Sequence, residues 1–315
     1  MREEVVIGVD VGGSHISAAK VTAKGKLLEP HLKIDLKEDK SYLWVKQKLK
    51  ELIDSLLTEE VIGIGIGLPG RVDVEKGICY FSPNFPHWKE VPIRDDLVRE
   101  IALPIYVIND VNAMALGEKT FGAGKGVSNL VCFTIGTGIG GGIIIDNKLL
   151  TGANFGAGEI GHITVEPGGP LCGCGNRGCW ETLASGTAIV RWAKEYILKN
   201  PGKSKLERLN PVTPKTIAML ALAGDEGALW VYETVGKYLG IGIANLITIL
   251  DPQLIVIGGE IVKSWNLFIK SLLDSVKERL FMVPFTDRII VKASLAEFAG
   301  IIGSCVFAFK ELGKL

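Results

Sequence analysis

One pattern occurs twice in this chain and restricts what it can fold into. The segment VVIGVDVGGSHISAAKVTAKGKLLEP, opening at Val5, reads as strand, glycine turn, alternating strand, second turn at Lys24-Gly25 and third strand. Near residue 129 the order restarts in NLVCFTIGTGIGGGIIIDNKLLTG, and Leu254–Glu260 (LIVIGGE) echoes the apolar strand VIGIGIGLPG that opens at Val61. A repeat of this kind predicts an α/β protein built as two halves on one plan, each offering a glycine hairpin to a shared cleft.

The rest of the chain fits around the repeat. A helix is predicted from about Ser41, with Trp44, Val45, Leu49, Leu52, Ile53 and Leu56 at helical spacing. Pro92 suits the first turn of a short helix, PIYVIND is a strand, and a helix follows from Val111 to Phe121, so the first half is expected to run βββαβαβα. Between the repeated segments lie a Cys-rich stretch and a helical region from about Thr187 to Leu250. There Thr213-Pro214 and Asp225 have the form of helix caps. AEFAGIIGSCVFAFKEL supplies a C-terminal helix. The expected division is a small α/β domain from 1–115 plus 300–315 and a large one from 116–299 that carries the segment 162–181.

Composition narrows the function. The 315 residues hold 35 Lys plus Arg against 35 Asp plus Glu, and the zero formal charge argues against a nucleic-acid surface or an anionic membrane anchor. The longest apolar stretch, Gly240–Leu250, falls short of the ~20 residues of a spanning helix and is read as a buried helix. The N-terminus, MREEVVIGVDVGG, enters a strand at once and has the form of neither a signal nor a transit peptide, so a cytoplasmic protein is expected. In that reducing setting, three of the six cysteines within eight residues point to metal rather than disulfides.

Four motifs carry chemistry. Asp10-Val11-Gly12-Gly13-Ser14 joins two strands, where glycines let backbone N–H groups approach an anion and a hydroxyl reaches phosphate oxygen. A hairpin turn is the plain alternative, but Gly136-Thr137-Gly138-Ile139-Gly140-Gly141-Gly142 occupies the same place in the second half. Neither is a Walker loop or a Rossmann fingerprint, since no Gly-Lys-Ser/Thr and no immediate helix follows. Asn109-Asp110 ends a buried strand at the start of a helix. Asp110 is either a helix cap or a base projecting from the strand end, and its helix terminus favours the ionised carboxylate. Phosphoryl transfer tolerates so weak a base, because its loose transition state needs an oriented nucleophile and a late proton acceptor.

His162, followed by Cys172, Cys174 and Cys179, forms a Cys₃His set suited to tetrahedral Zn²⁺. Four protein ligands leave no open position, so the zinc is expected to be structural. Glu159 and Glu181 flank it, and carboxylates and amides pair well with vicinal hydroxyls. Glu159, His162, Glu181, Asn84 and Asn109 therefore form a candidate polyol site with Asp110. Trp88 is expected to pack beneath its loop rather than to stack on a sugar.

Over nearly its whole length the chain resembles the ROK family (repressors, open reading frames and kinases), most closely its glucokinases. Asp10–Ser14 is similar to the family's first phosphate motif, Gly136-Thr137-Gly138 to its second, and Leu254–Gly259, with Gly258 and Gly259, to its adenosine-side segment. His162, Cys172, Cys174, Cys179 and Glu181 resemble its zinc and sugar signature, and Ser82–Trp88 the glucokinase form of that loop. The resemblance implies an actin-like ATPase (ribonuclease H-like) fold, Mg-ATP as donor and phosphorylation of a hexose at its 6-hydroxyl. It also implies a homo-oligomer, commonly a dimer. Position by position it makes Asp110 the catalytic base, makes Asn84, Asn109, Glu159, His162 and Glu181 sugar ligands, and puts ATP on Asp10, Gly12, Gly13, Ser14, Gly136, Thr137 and Gly138. Ser14 stands where many members have Thr, and Glu260 where a small or apolar residue is frequent. Glucose is the expected substrate, with N-acetylmannosamine or mannose as alternatives. Sugar-sensing members carry a helix-turn-helix ahead of the kinase-like part, and only nine residues precede Asp10 here.

Overall fold

The computed structural model describes residues 3–36 and 40–315. Its elements run β1 Val5–Val11, β2 His15–Thr22, β3 Leu27–Asp35, α1 Tyr42–Leu56, β4 Val61–Leu68, β5 Arg71–Asp73, β6 Ile78–Phe81, β7 Lys89–Val91, α2 Ile93–Val98, β8 Ile105–Asn109 and α3 Asp110–Phe121. They continue with β9 Leu130–Ile135, β10 Ile139–Ile145, β11 Lys148–Leu149, α4 Trp180–Ala184, α5 Gly186–Lys199, α6 Pro214–Leu222, α7 Glu226–Leu250, β12 Leu254–Gly258, α8 Trp265–Lys277, β13 Ile290–Lys292 and α9 Ala299–Glu311.

The duplication is visible in the sheets. The first has order β3-β2-β1-β4-β8 and the second β11-β10-β9-β12-β13, so the segments that echo one another in sequence hold equivalent positions. In the first sheet β1 and β2 pair antiparallel across the glycine turn, whereas β1–β4 and β4–β8 are parallel. In the second, β10–β11 is antiparallel and β12–β13 parallel. Strand β1 is apolar at Val5, Val6, Ile7, Val9 and Val11, all buried, as a strand covered on both faces must be. Helix α1 buries Val45, Leu49, Leu52, Ile53 and Leu56, the stripe that its spacing predicts.

One expected feature differs. The first half is not a plain βββαβαβα, because the antiparallel meander β5-β6-β7 lies between β4 and α2. Its strands are three or four residues long, too short to establish a period of two. The loop between β6 and β7 is folded around Trp88, which is 1% exposed and stacks on Phe85 at a centroid distance of 4.4 Å. Its indole N–H donates to the Lys40 carbonyl at 3.3 Å, so Trp88 is a packing residue.

The caps behave as their chemistry predicts. Thr213 forms a capping box with Thr216 ahead of Pro214, and Asp225 accepts from the Ala228 N–H at the start of α7. Gly240–Leu250 is the second half of the 25-residue α7, and among the described residues no helix is long and apolar enough to cross a membrane.

The chain divides into two compact units. One runs to Cys132 and adds Gly142–Gly158 and Ala293–Leu315; the other comprises Phe133–Gly141 and Glu159–Lys292. Within the first, α9 packs on α3 and against β1, β4 and β8. Within the second, the long α7 packs on α8.

Candidate active site

In the first unit the described groups gather at the ends of β1, β4 and β8 and at the starts of α3 and α9. Asp10 is the penultimate residue of β1, and Gly12 closes the turn by donating its N–H to the His15 carbonyl at 2.9 Å. Ser14 is exposed, its hydroxyl 3.0 Å from His15 Nδ1. Asn84 lies beside the turn: a β-carbon on Gly13 would come within 2.8 Å of its Nδ2. The Asp10 carboxylate packs against the first turn of α9 where residue 300 is glycine, since a β-carbon there would fall 2.6 Å from it. Desolvation pushes the Asp10 carboxyl up to about 6. A desolvated carboxylate beside a loop rich in N–H groups is fit to meet a cation carried by an anion.

The strand-to-helix junction separates two duties. Asn109 is the N-cap of α3, its Oδ1 accepting from the N–H groups of Val111 and Asn112 at 3.0 and 2.9 Å while its Nδ2 donates to the Gly70 carbonyl at 2.9 Å. Asp110 is thus the first helical residue, not the cap. Its Oδ1 also accepts from the Val111 N–H, at 2.9 Å. Because Asn109 does the capping, the Asp110 carboxylate does not carry the helix start alone. The cost is on Asn109, whose amide oxygen is already doubly engaged by backbone.

In the second unit the structure brings the metal set and the carboxylates together. Ligand atoms of His162, Cys172, Cys174 and Cys179 all lie within 4.8 Å of one another. Cys174 Sγ is 3.7 Å from Cys179 Sγ, and Cys172 Sγ is 3.6 Å from His162 Nδ1. A tetrahedron of Zn–S bonds of about 2.3 Å has edges of about 3.8 Å, so the residues fit zinc. Burial raises the thiols of Cys172 and Cys179, while the Asn176 N–H lowers that of Cys174. The bridges Thr164 to Cys179 and Leu171 to Arg177 fold the segment back on itself and bring the distant ligands into one place.

His162 stands between the two acids. Its Nδ1 is 3.7 Å from Glu181 Oε1, and its Nε2 is 3.9 Å from Glu159 Oε2. Glu181 also meets Cys172 Sγ at 3.2 Å and accepts from the Ile139 N–H at 3.5 Å, so it touches both the metal set and the end of the glycine turn. Gly136 closes that turn by donating to the Gly138 carbonyl at 3.0 Å, leaving Thr137 exposed at its tip. Gly258 ends β12 buried, and Gly259 follows at φ 89°. Glu260 is exposed and paired with Lys263 at 2.7 Å.

Sequence reasoning missed Glu118 on α3. It is fully buried, and its carboxylate accepts from the N–H groups of Ala123 and Leu295 at 2.8 Å each and from the Ser294 hydroxyl at 3.2 Å. Its signal was a lone acid on the apolar side of Val111–Phe121. Its partner Leu295 is 177 residues away, which no spacing rule anticipates.

A twice-built β-sheet plan with paired glycine hairpins defines the class of actin-like ATPase-fold proteins. The chain belongs to the ROK family, whose model matches residues 6–311. It is 36% identical over 312 residues to a glucokinase of Thermotoga maritima, covering 98% of each chain. It is 32% identical to a xylose repressor of Caldicellulosiruptor bescii, covering 98% of this chain and 78% of the repressor. In structure it is similar, with a TM-score of 0.83 and 34% identity, to a ROK glucokinase of Streptomyces griseus solved with glucose and AMPPNP, covering 96% of this chain and 98% of that one.

Proposed function

We propose that this chain is an ATP-dependent hexose kinase that converts glucose to glucose 6-phosphate. Asp110 accepts the proton of the sugar 6-hydroxyl as that oxygen attacks the γ-phosphorus and the bond to the β-γ bridging oxygen breaks, releasing ADP. The observation that carries this reading is the junction at β8 and α3, where Asn109 takes the capping role and Asp110, as the first helical residue, places a carboxylate at the end of the strand. Two turns of matching topology hold the phosphates: Gly12, Gly13 and Ser14 donate in one, with the Asp10 carboxylate beside them for the accompanying cation, and Gly136, Thr137 and Gly138 donate in the other. Gly258 and Gly259 are assigned to the adenosine side. Asn84, Asn109, Glu159, His162 and Glu181 hold the sugar hydroxyls, Asn109 through the N–H its amide has left.

His162, Cys172, Cys174 and Cys179 would hold one Zn²⁺, which supplies a rigid crosslink and no open coordination position. Asp10 would face the Mg²⁺ that accompanies ATP and neutralises charge on its phosphates. The likeness to glucokinases over 97–98% of their length supports the kinase reading. A second reading, a sugar-responsive regulator, is favoured by the likeness to xylose repressors. The test is a coupled ADP-release assay with Mg-ATP across glucose, mannose, N-acetylmannosamine and fructose. Glucose-dependent turnover is expected; sugar binding without ADP release from any of them would favour the regulator. A homodimer in the cytoplasm completes the proposal, and light scattering on the purified chain checks the dimer.

A further inference from the structure

The segment that follows the Cys₃His set is hydrogen-bonded to the carbonyls of the second glycine turn. Cys179, a member of the Cys₃His set, is the N-cap of the five-residue α4, and the C-cap of α4, Ser185, is in turn the N-cap of α5. Ser185 Oγ accepts from the Ala188 N–H at 3.3 Å and lies 2.8 Å from Thr187 Oγ1. Thr187 Oγ1 donates to the Thr137 carbonyl at 2.8 Å. Each hydroxyl has one proton, which sets the direction: the Ser185 hydroxyl donates to Thr187, and Thr187 spends its own proton on the turn. Beside it the Gly186 N–H donates to the Gly136 carbonyl at 2.8 Å. A β-carbon on residue 186 would come within 2.8 Å of that oxygen, so the close approach requires glycine. The other end of the turn is held by Glu181 through the Ile139 N–H.

The carbonyls of Gly136 and Thr137 are therefore occupied by donors from residues 186 and 187. A carbonyl turned toward phosphate oxygens repels them, and one fastened outward leaves the N–H groups of the turn to face the anion. Thr187 is exposed, so its hydroxyl is not needed to fill a core.

We infer that Thr187, oriented by Ser185, is a positioning residue that holds the Gly136–Gly138 turn with its carbonyls outward and so sets affinity for the phosphates of the nucleotide. This rests on the kinase reading above for the identity of the anion, but the orientation of the turn does not. Two measurements on Thr187→Val and Thr187→Ser decide it. Amide hydrogen exchange reads the turn itself, and titration with Mg-AMPPNP reads the consequence without turnover. Thr187→Val is expected to speed exchange at residues 136–139 and to weaken AMPPNP binding about 3- to 10-fold, the worth of one hydrogen bond. KM for ATP should rise by the same factor with KM for glucose unchanged. Thr187→Ser, which keeps the hydroxyl, should restore both. Wild-type exchange and nucleotide affinity in Thr187→Val would overturn the inference. So would equal losses in Thr187→Val and Thr187→Ser, since Thr187→Ser keeps the hydroxyl and its loss could not come from the missing hydrogen bond. A wild-type chain that phosphorylates no hexose would sink the kinase reading instead, while the exchange result would still judge the turn.

Discussion

The two glycine hairpins share a position in their sheets and differ in what they carry. The first brings a side-chain acid, Asp10, and an exposed hydroxyl, Ser14, and it is backed by the start of α9 at Gly300. The second has no acid. It is a stretch of backbone whose carbonyls are held by Gly186 and Thr187 and whose far end is held by Glu181 beside the metal set. A duplicated scaffold repeats hydrogen-bonding geometry; it does not repeat chemistry. The first unit holds Asp10 and Asp110, the acids proposed to meet the cation and the sugar hydroxyl, and the second holds the Cys₃His set proposed as a crosslink beside the turn.

The contrast can be broken at its reactive end first. Asp110→Asn should lower kcat by about 10²- to 10⁴-fold while glucose still binds, because a general base is lost and the Asn109 cap remains. Near-normal kcat would remove the base from the first unit. At the positioning end, Cys174→Ser should drop zinc from one per chain toward none by elemental analysis and lower the melting temperature by at least about 5 °C. A folded, zinc-free wild type with full activity would leave the second unit without its crosslink.

Asp10 sharpens the comparison through pH. Its folded carboxyl titrates near 6 against 3.8 for the free group, so the folded chain holds the proton more tightly. Stability from this group is present below about pH 4, declines as pH rises through the window between 4 and 6, and is gone above it. Asp10→Asn should therefore stabilise the protein by up to about 3 kcal/mol at pH 8 in Mg²⁺-free buffer, with no gain near pH 4, and should cost turnover. Urea denaturation at the two pH values checks it, and equal effects at both would show that burial of charge is not the cause. The smallest effect expected is the few-fold loss at Thr187, which asks whether backbone orientation alone tunes the second hairpin.

Much of this was legible because it is local. The strand-turn-strand repeats, the α1 stripe, the caps at Thr213 and Asp225 and the Cys₃His spacing each depend on residues near in sequence, where period and turn chemistry decide. The meander β5–β7 was not, since its strands are too short to show a period. Asn109 could be placed at a helix start, but which of Asn109 and Asp110 would cap depended on where the first helical residue fell.

What the sequence by itself determined is the duplicated plan, the four side chains that form a Cys₃His set and the acid at the strand-to-helix junction. Backbone periodicity and the donor chemistry of a few residue types suffice for these. Only the tertiary structure decided that Glu118 meets Leu295, that the Asp10 carboxylate lies against Gly300, and that Thr187 fastens Thr137. Those contacts join residues 50 to 290 positions apart, and a separation of that size leaves no trace in local pattern. It is set by how β1, α3, α5 and α9 pack, which depends on the whole chain.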